Sequence, residues 1–440
     1  MGLATFKGGV HPYEGKELSE SKPIEVLMPK GELVYPLCQH IGAPAKPLVK
    51  KGDQVLVGQK IGEAGGFISA NVICSVSGTV KAVEPRLVAN GSTVLSIIVE
   101  NDGEYKAVDG MGADRDPSKL SKQEIRDIVK EAGIVGLGGA GFPTHVKLSP
   151  KEEDKIDYII VNGAECEPYL TSDYRIMMEE PEKIVGGLKV ILQLFDRAQG
   201  VIGIEDNKPE AIKKLTDLVK DESRIKVVPL KTKYPQGGER TLIYAVTGRQ
   251  INSTMLPADV GCIVDNVDTV ASVYMAVCKT TPLLRRIFTV TGDAVANPGN
   301  YNVRIGTCQQ ELIDAAGGFK TEPEKIISGG PMMGQALFDL NIPVTKTSSA
   351  LTCMTKDEVA AQEPTACIRC GRCAEVCPGR IIPQKLMRPA LNGDLDTFVA
   401  LKGMECCECG CCAFICPARK QLTQAFKEAK KAVNARRKKA

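Results

Sequence analysis

The sequence has no tryptophan, only three histidines and an aromatic content of 5% over 440 residues. So few aromatic side chains argue against a stacking platform for nucleic acid. The formal net charge of +3 is too small to imply a polyanionic partner for the whole molecule. Long apolar runs are also missing, since the stretch 184–195 is broken by Lys189 and Gln193. Residues 1–7 lack the charged-then-apolar pattern of a signal peptide. We therefore expect a protein that is neither secreted nor membrane-spanning on its own.

Cysteine, in contrast, is abundant. The chain has 17 cysteines, and in a reducing compartment such clustering indicates metal sites and not disulfides. Two copies of the pattern C-x2-C-x2-C-x3-C-P lie near the C-terminus. The first copy has Cys367, Cys370, Cys373 and Cys377, and the second has Cys406, Cys409, Cys412 and Cys416.

This spacing predicts two [4Fe–4S] clusters whose ligands cross between the motifs. Three thiolates at i, i+3 and i+6 wrap one cubane, and the fourth reaches the other cluster. We expect Cys416 to join the first three thiolates of the first motif, and Cys377 to join those of the second. A frame that starts at Cys407 is excluded because it requires a cysteine where Gly410 stands. Zinc ribbons use two C-x2-C pairs and have no use for a third cysteine or a trailing Cys-Pro.

Other cysteines are predicted to be spare thiols or small buried hydrophobes. Cys407 and Cys411 lie inside the second motif without belonging to it, and seven more are scattered along the chain. The segment 382–402 between the motifs has a helical pattern, which favours a helical ferredoxin over the compact β-hairpin kind. The basic residues after 426 have the pattern of a solvated helix end.

The remaining chain predicts a multidomain α/β protein. Residues 1–110 consist of short β runs separated by glycine turns, and residues 111–284 alternate helix and strand patterns. Ser121 with Glu124 predicts a capping box that opens an amphipathic helix. Residues 285–345 return to β as a small module, 355–425 form the ferredoxin domain, and 426–440 form a basic tail.

The first domain resembles the barrel-sandwich domains of the biotinyl and lipoyl family. The order Val49–Val55, Val57–Gln59 and Ser77–Val80 carries this likeness. Those domains present a modified lysine on a hairpin tip, whereas the corresponding stretch Gly66–Asn71 has none. We expect the fold without the swinging arm.

A glycine-rich loop opens the α/β domain. Gly136, Gly138 and Gly141 satisfy G-x-G-x-x-G, but a helix precedes them and Phe142-Pro143 interrupts the segment directly after them, which disfavours a dinucleotide-binding turn. The loop still offers backbone that can approach a phosphate or a flat ring, with Lys147 as a nearby cation. The alternative is a glycine-rich turn that closes over the core.

Four segments together resemble the NADH-oxidising, FMN-carrying subunit of respiratory complex I. They are Gly136–Lys147, Asn162–Pro168, Gly237–Glu239 and Asp265–Thr269. The resemblance implies that the glycine loop, Lys147 and Asn162 contact FMN, that Asn266 lies under its phosphate, and that Phe142 and Glu167 contact NADH. Departures from that family are Ala164 in place of an Asp, and Gly-Gly-Glu-Arg in place of Gly-Glu-Glu-Thr. The predicted cofactor-binding residues are Gly136, Gly138, Gly139, Gly141, Phe142, Lys147, Asn162, Glu165, Glu167, Glu239 and Asn266.

A narrower resemblance covers essentially the whole chain. Lys7–Pro12, the unmodified lipoyl-like domain, Tyr234–Glu239 and the tandem cysteine motifs occur together in C subunits of the Rnf complexes. That family implies electron transfer between NAD(H), FMN and two [4Fe–4S] clusters, in an assembly that couples ferredoxin:NAD oxidoreduction to ion transport. It also implies partners that include an iron–sulfur subunit and integral membrane subunits, and a peripheral place on the cytoplasmic face of a bacterial membrane. The alternatives are a soluble cobalamin-reductase-like protein and a non-catalytic relay or docking subunit. No catalytic side chain is assigned.

Overall fold

A computed structural model describes residues 2–439, except for the side chains of residues 438 and 439. The N-terminal region forms a sandwich of two small antiparallel sheets. Its strands are β1 Ile24–Leu27, β2 Glu32–Pro36, β3 Lys46–Pro47, β4 Gln54–Val55, β5 Lys60–Glu63, β6 Val72–Ile73, β7 Gly78–Leu87 and β8 Thr93–Asn101. One sheet has the order β2-β8-β7-β4 and the other β3-β5-β6. Leu33, Ile61 and Ile97 are fully buried between them. At the hairpin tip, where a carrier domain would hold its lysine, Phe67 is 75% exposed.

The central α/β domain is built on a four-stranded parallel sheet. Its helices are α1 Lys122–Glu131, α2 Thr144–Lys147, α3 Ser172–Glu179, α4 Pro181–Leu192, α5 Pro209–Leu218, α6 Glu239–Thr247 and α7 Val267–Cys278. Its strands are β9 Tyr158–Gly163, β10 Gln199–Glu205, β11 Ile225–Leu230 and β12 Cys262–Asn266, in the order β11-β10-β9-β12. The predicted capping box is present, because Ser121 and Glu124 bond reciprocally at the start of α1. Apolar runs such as Ile159–Val161 form strands because helices cover both faces of the sheet.

The third module is a six-stranded mixed sheet with one helix. It contains β13 Arg285–Thr291, β14 Gly299–Arg304, α8 Gln309–Ala315, β15 Lys325–Ser328, β16 Gln335–Leu337 and β17 Ala350–Met354. The sheet order is β1-β14-β13-β17-β15-β16. The sheet therefore recruits β1 from the N-terminal region and β17 from beyond residue 345. These long-range pairings tie the module to the rest of the molecule.

The C-terminal region is helical. Its helices are α9 Arg372–Glu375, α10 Pro383–Leu391, α11 Leu395–Ala400, α12 Cys411–Phe414 and α13 Leu422–Lys439. Leu386, Phe398 and Phe426 form its small core, and no described residue after Met354 lies in a strand. Helices α10 and α11 occupy the interval between the motifs, as predicted. Of the helices in the described residues, none has the length and apolar character needed to cross a membrane.

Candidate functional site

Several of the predicted site residues lie where the parallel sheet reverses its order. β9 pairs with β10 on one side and with β12 on the other, so a crevice opens at the carboxyl ends of β9 and β12. Asn162 near the end of β9 and Asn266 at the end of β12 are register partners. Ligands of open α/β sheets bind at such a switch point. The structure thus brings together two residues that are 104 positions apart in the sequence.

The glycine loop is held over this crevice by its base. The Gly136 N–H donates to the Phe142 carbonyl at 2.8 Å and closes the loop. Next to it, Leu137 donates to Thr269 Oγ1 and accepts from Arg286, which anchors the loop on the start of α7. A Cβ at Gly138 would lie 2.8 Å from Asn266, so glycine is required for this close approach. Residues 138–140 are exposed, which leaves their backbone free to face a ligand.

Lys147 and Asp265 form the charged floor of the crevice. Lys147 Nζ donates to the Val264 carbonyl at 2.8 Å and to Asp265 Oδ1 at 3.2 Å. Asp265 Oδ2 is buried without a protein partner, and burial raises the pKa of this carboxyl. Glu239 is accessible to water, yet surrounding protein raises its pKa, a combination expected of a carboxylate lining an open cleft. A cation, exposed loop backbone and an unpartnered acceptor fit the phosphate and the polar ring edge of a flavin mononucleotide.

The acidic loop beside the crevice is held by two buried lysines. Lys16 Nζ donates to the carbonyls of Glu165, Glu167 and Leu170, at 2.9, 3.2 and 2.6 Å. Lys208 Nζ donates to the Ala164 carbonyl at 2.8 Å. The Glu165 carboxylate accepts from the Asp173 and Tyr174 N–H groups and so caps α3. The contacts of Glu165 are therefore with the protein, and its role toward a cofactor stays a prediction.

Glu167 reaches the third module. Its Oε1 accepts from the backbone N–H of Met332 at 2.6 Å and of Met333 at 3.2 Å, and burial raises its pKa. Phe142 is half-buried at the base of the glycine loop. The structure thus places these two predicted NADH contacts on the glycine loop and the acidic loop, which border the same crevice. Their contact with a nucleotide stays a prediction.

The two cysteine motifs adopt the same backbone conformation. Positive φ angles recur at equivalent positions, namely 56° and 58° at Arg369 and Glu408, 81° and 85° at Gly371 and Gly410, and 55° and 52° at Arg380 and Arg419. Each motif also contains a short helix, α9 or α12, between its second and fourth cysteines. A left-handed residue before and after the second cysteine bends the chain back in the same way in both motifs. The motifs are therefore structural repeats.

Four thiols from both motifs surround one pocket. Cys367, Cys370 and Cys373 line it together with Cys416, and Met387 and Leu422 give it an apolar wall. These four residues are the first predicted ligand set, and a pocket lined by four thiols fits a [4Fe–4S] cluster. Across residues 2–437, no three His, Cys, Asp or Glu side chains form a group suited to a single metal ion.

The second set lies deeper in the molecule. Cys377, Cys406 and Cys412 pack in the core of the C-terminal region. Cys409 is buried against Tyr234, whose hydroxyl donates to the Cys409 carbonyl at 2.6 Å. The two cysteines predicted to be spare thiols are also here: Cys407 is half-buried, and Cys411 Sγ lies 3.8 Å from the Tyr234 carbonyl.

Comparisons with known proteins agree with this architecture. Family models match in chain order: the RnfC barrel sandwich hybrid domain over residues 4–104, the Nuo51 FMN-binding domain over 129–275, the SLBB domain over 287–336 and a 4Fe-4S binding domain over 362–382. A solved NAD⁺-reducing [NiFe]-hydrogenase in its air-oxidised state shares the fold, with a TM-score of 0.50 and 20% identity over 64% of this chain and 54% of that chain.

Two curated relatives are much closer in sequence. The C subunit of the proton-translocating ferredoxin:NAD(+) oxidoreductase complex of Clostridium ljungdahlii is 45% identical over 87% of this chain and 84% of its own. The C subunit of the Na(+)-translocating complex of Acetobacterium woodii is 44% identical over 99% of this chain and 98% of its own.

Fold and site together define a multidomain electron-transfer protein with an FMN-binding domain and a 4Fe-4S binding domain. The identity to these relatives over most of the chain gives the family. The chain belongs to the C subunits of ion-translocating ferredoxin:NAD(+) oxidoreductase complexes, the Rnf complexes. The predicted family and the multidomain α/β organisation are confirmed.

Several residues of the site carry no signal in the sequence. Lys16 lies in an N-terminal segment without periodicity, and its three acceptors are about 150 positions away. Asp173 accepts from Asn266 at 2.6 Å, and burial, with Glu165 and Asp268 nearby, raises its pKa to about 8. Lys430 belongs to the predicted solvated helix end, but it donates to the Cys406 carbonyl at 2.6 Å. Only the three-dimensional packing reveals these partners.

Proposed function

We propose that this chain is the subunit of its complex that exchanges electrons with NAD(H), through FMN and two [4Fe–4S] clusters. Its partners are an iron–sulfur subunit and integral membrane subunits, and it lies peripherally on the cytoplasmic face of the membrane. The observation that carries this proposal is a continuous set of contacts between the crevice and the second cysteine motif. The same short segment, residues 234–240, contacts both.

Residues 234–240 contact both the crevice and the second cysteine motif. At one end, the Gly237 carbonyl accepts from Asn162 Nδ2 at 2.8 Å, beside the crevice. At the other end, the Tyr234 hydroxyl bonds to Cys409. Arg240 also pairs with Glu405, directly before the second motif, at 3.1 Å. Residues 234–240 thus hold the second motif against the flavin-binding domain.

Nine of the eleven predicted cofactor-binding residues have a task in this scheme. Gly136, Gly138, Gly139 and Gly141 admit the flavin, Lys147 neutralises its phosphate, and Asn162 and Asn266 orient it. Phe142 and Glu167 serve the nucleotide, because a carboxylate accepts hydrogen bonds from a ribose or carboxamide but would repel a phosphate. When bound, a flavin accepts a hydride and returns its electrons one at a time. The thiolates of the two predicted sets, Cys367, Cys370, Cys373 and Cys416, and Cys406, Cys409, Cys412 and Cys377, hold the one-electron centres.

Two variants test the assignment in protein reconstituted anaerobically with iron, sulfide and FMN. Lys147→Ala should lower FMN occupancy because it removes the cation of the crevice. Glu167→Gln keeps its shape, so it should weaken NADH binding while flavin and iron contents stay at wild-type levels. NADH should bleach the flavin absorbance of the wild type. Loss of flavin from Glu167→Gln with unchanged NADH kinetics would contradict these roles.

Membrane placement is tested by expression with and without partner subunits. Expressed alone, the chain should appear in the soluble fraction, and with integral subunits it should sediment with membranes. Basic residues of the tail add up to about 1 kcal/mol each near an anionic leaflet. Retention on membranes without any partner would contradict attachment through subunits.

A further inference from the structure

The peptide unit between Leu137 and Gly138, in the glycine loop, has one buried side and one exposed side. The Leu137 carbonyl points inward and accepts from Arg286 Nη2 at 3.0 Å, in a buried hydrogen bond. Gly138, the next residue, is exposed. Because a trans peptide is planar, its N–H points away from its own carbonyl, and the Gly138 N–H therefore points away from Arg286. The inward bond thus turns this N–H toward the exposed side of the loop.

Gly138 lies directly against Asn266, the residue predicted to lie under the FMN phosphate. A Cβ added at Gly138 would lie 2.8 Å from the Cβ of Asn266 and 2.9 Å from its Nδ2. Within residues 2–439, the Gly138 N–H donates to no backbone carbonyl. A backbone N–H is a strong donor to an anionic oxygen. The N–H of Gly138 is therefore placed to bind a phosphate that lies on Asn266.

Arg286 is fixed by three buried hydrogen bonds. Besides the Leu137 carbonyl, its guanidinium donates to the Ser348 carbonyl at 2.8 Å and to Asp268 Oδ2 at 2.6 Å. Three acceptors fix the plane of a guanidinium, whereas the single nitrogen of a lysine could not reach all of them in this fork geometry. Arg286 lies on β13 and Ser348 directly precedes β17, so this contact with the glycine loop comes from the third module.

The neighbouring Arg285 provides an internal comparison. Its guanidinium donates to Asp268 Oδ1 at 2.7 Å and to Glu180 Oε2 at 3.1 Å. Two arginines of β13 thus share one buried carboxylate, and of the two, only Arg286 bonds to the glycine loop in the described part of the chain. Removal of either arginine leaves Asp268 with the other as its partner, which limits the cost of an unpaired buried charge.

We propose that Arg286 is a positioning residue for FMN, because it fixes the peptide between Leu137 and Gly138 so that the Gly138 N–H donates to the FMN phosphate. The inference rests on the proposed function and adds to it a contribution of the third module to the flavin site. Arg286 acts through the peptide and does not itself contact FMN. A donor that is oriented before the ligand arrives needs no ordering on binding, so the fixed peptide raises the affinity for FMN.

The test compares Arg286→Gln with Arg285→Gln in the full chain, reconstituted with iron and sulfide but without flavin. Each change removes one guanidinium that pairs with Asp268, but only the first removes the bond to Leu137. FMN and riboflavin, which has the same ring and no phosphate, are titrated by flavin fluorescence. Circular dichroism and iron content check the fold. If Arg286→Gln does not fold, Arg286→Lys, which keeps the charge beside Asp268, replaces it with the same expected loss.

We expect Arg286→Gln to bind FMN at least about tenfold more weakly than Arg285→Gln does, while the two variants bind riboflavin equally. Equal FMN affinities of the two variants, or an equal loss of riboflavin affinity, would overturn the positioning role and leave the proposed function intact if NADH still bleaches the bound flavin. The expected selective loss in a protein whose bound flavin NADH does not bleach would support the positioning role and overturn the proposed function.

Discussion

The two cysteine motifs have the same backbone and opposite surroundings. In the first motif Cys367 and Cys370 are exposed and Arg369 and Arg372 form no ion pair with any described residue, whereas in the second Cys409, Cys411 and Cys412 are buried and Glu405 and Glu408 are paired internally. The first therefore faces solvent, and the second faces the flavin-binding domain through Tyr234 and Arg240. A repeated loop thus acquires two roles from its environment. The account places the second motif on the flavin side and the first on the solvent side.

The largest effect should come from removing one thiol from each motif. Cys370→Ser and Cys409→Ser should each lose one cluster, about four of eight iron atoms, because each removes a predicted ligand. Cys409→Ser should also lower the melting temperature further than Cys370→Ser does, because it places a hydroxyl at a buried position whereas Cys370 is exposed. Iron analysis and thermal unfolding measure both.

Two further variants check the crossing of ligands. Cys416→Ala should impair the cluster of the first motif although it belongs to the second, and Cys407→Ala should retain both. If Cys407→Ala lost a cluster and Cys406→Ala did not, the ligand register would be wrong.

A second difference should appear in resistance to an iron chelator. The exposed first motif should open to solvent more readily than the buried second one. Each 1.4 kcal/mol by which the opening free energy is lower makes the loss of iron about tenfold faster. We expect the first cluster to be lost at least about ten times faster than the second. The loss is measured by absorbance, in Cys409→Ser protein for the first cluster and in Cys370→Ser protein for the second. Equal rates in the two variants would remove the distinction between an exposed and a protected motif.

Acid should weaken the contact that Glu405, directly before the second motif, makes with Ser253 and Arg240. Burial opposes ionisation of Glu405, but hydrogen bonds from Ser253 and the nearby Arg240 outweigh it and lower the pKa of this carboxyl. A lowered pKa stabilises the folded state above the ordinary pKa of about 4.3, and this contribution is lost as pH falls through the folded-state value. Glu405→Gln should lower the free energy of unfolding by about 1 kcal/mol at pH 7 and by much less at pH 3.5. A pH-independent cost, measured by urea unfolding, would contradict this origin.

The smallest effect concerns the potential of the second cluster. Lys430 places a partly buried positive charge beside Cys406 and Glu408, which favours the more negative, reduced cluster. Lys430→Met removes an interaction of about 1 kcal/mol. It should therefore lower the one-electron reduction potential of the second cluster by about 40 mV. The first cluster should keep its potential in an EPR-monitored redox titration. Arg436→Gln is the matched control, since Arg436 pairs with Asp396 at the exposed surface. A shift of both clusters by equal amounts would contradict a local effect.

Local signals explain which parts of this structure were predictable. The spacing of the cysteines and the pairing of Ser121 with Glu124 lie within a few residues, so the sequence alone defines the loops and the helix start. The sandwich and the parallel sheet follow from short runs of one periodicity. The pairing of β1 with β14 spans some 276 positions and depends on packing that no local pattern records.

The residues of the candidate site divide in the same way. Asn162, Lys147 and the glycine loop were found through motifs, whereas Lys16 and Lys208 were not, because a buried lysine is recognised only by the carbonyls that surround it. The roles of Glu165 and Glu167 were inferred from resemblance, and the structure adds that their carboxylates also bond to backbone N–H groups. The same acidic loop therefore combines structural support with the predicted cofactor contacts.

The order of the two motifs is tested most directly by mixing NADH with FMN-loaded Cys370→Ser and Cys409→Ser proteins in an anaerobic stopped-flow instrument. The account predicts that Cys370→Ser, which keeps the second cluster, shows cluster bleaching at close to the wild-type rate. Cys409→Ser, which keeps only the first cluster, should show flavin reduction with little or no cluster bleaching. Rapid cluster bleaching in Cys409→Ser, with none in Cys370→Ser, would contradict the assignment of the second motif to the flavin side.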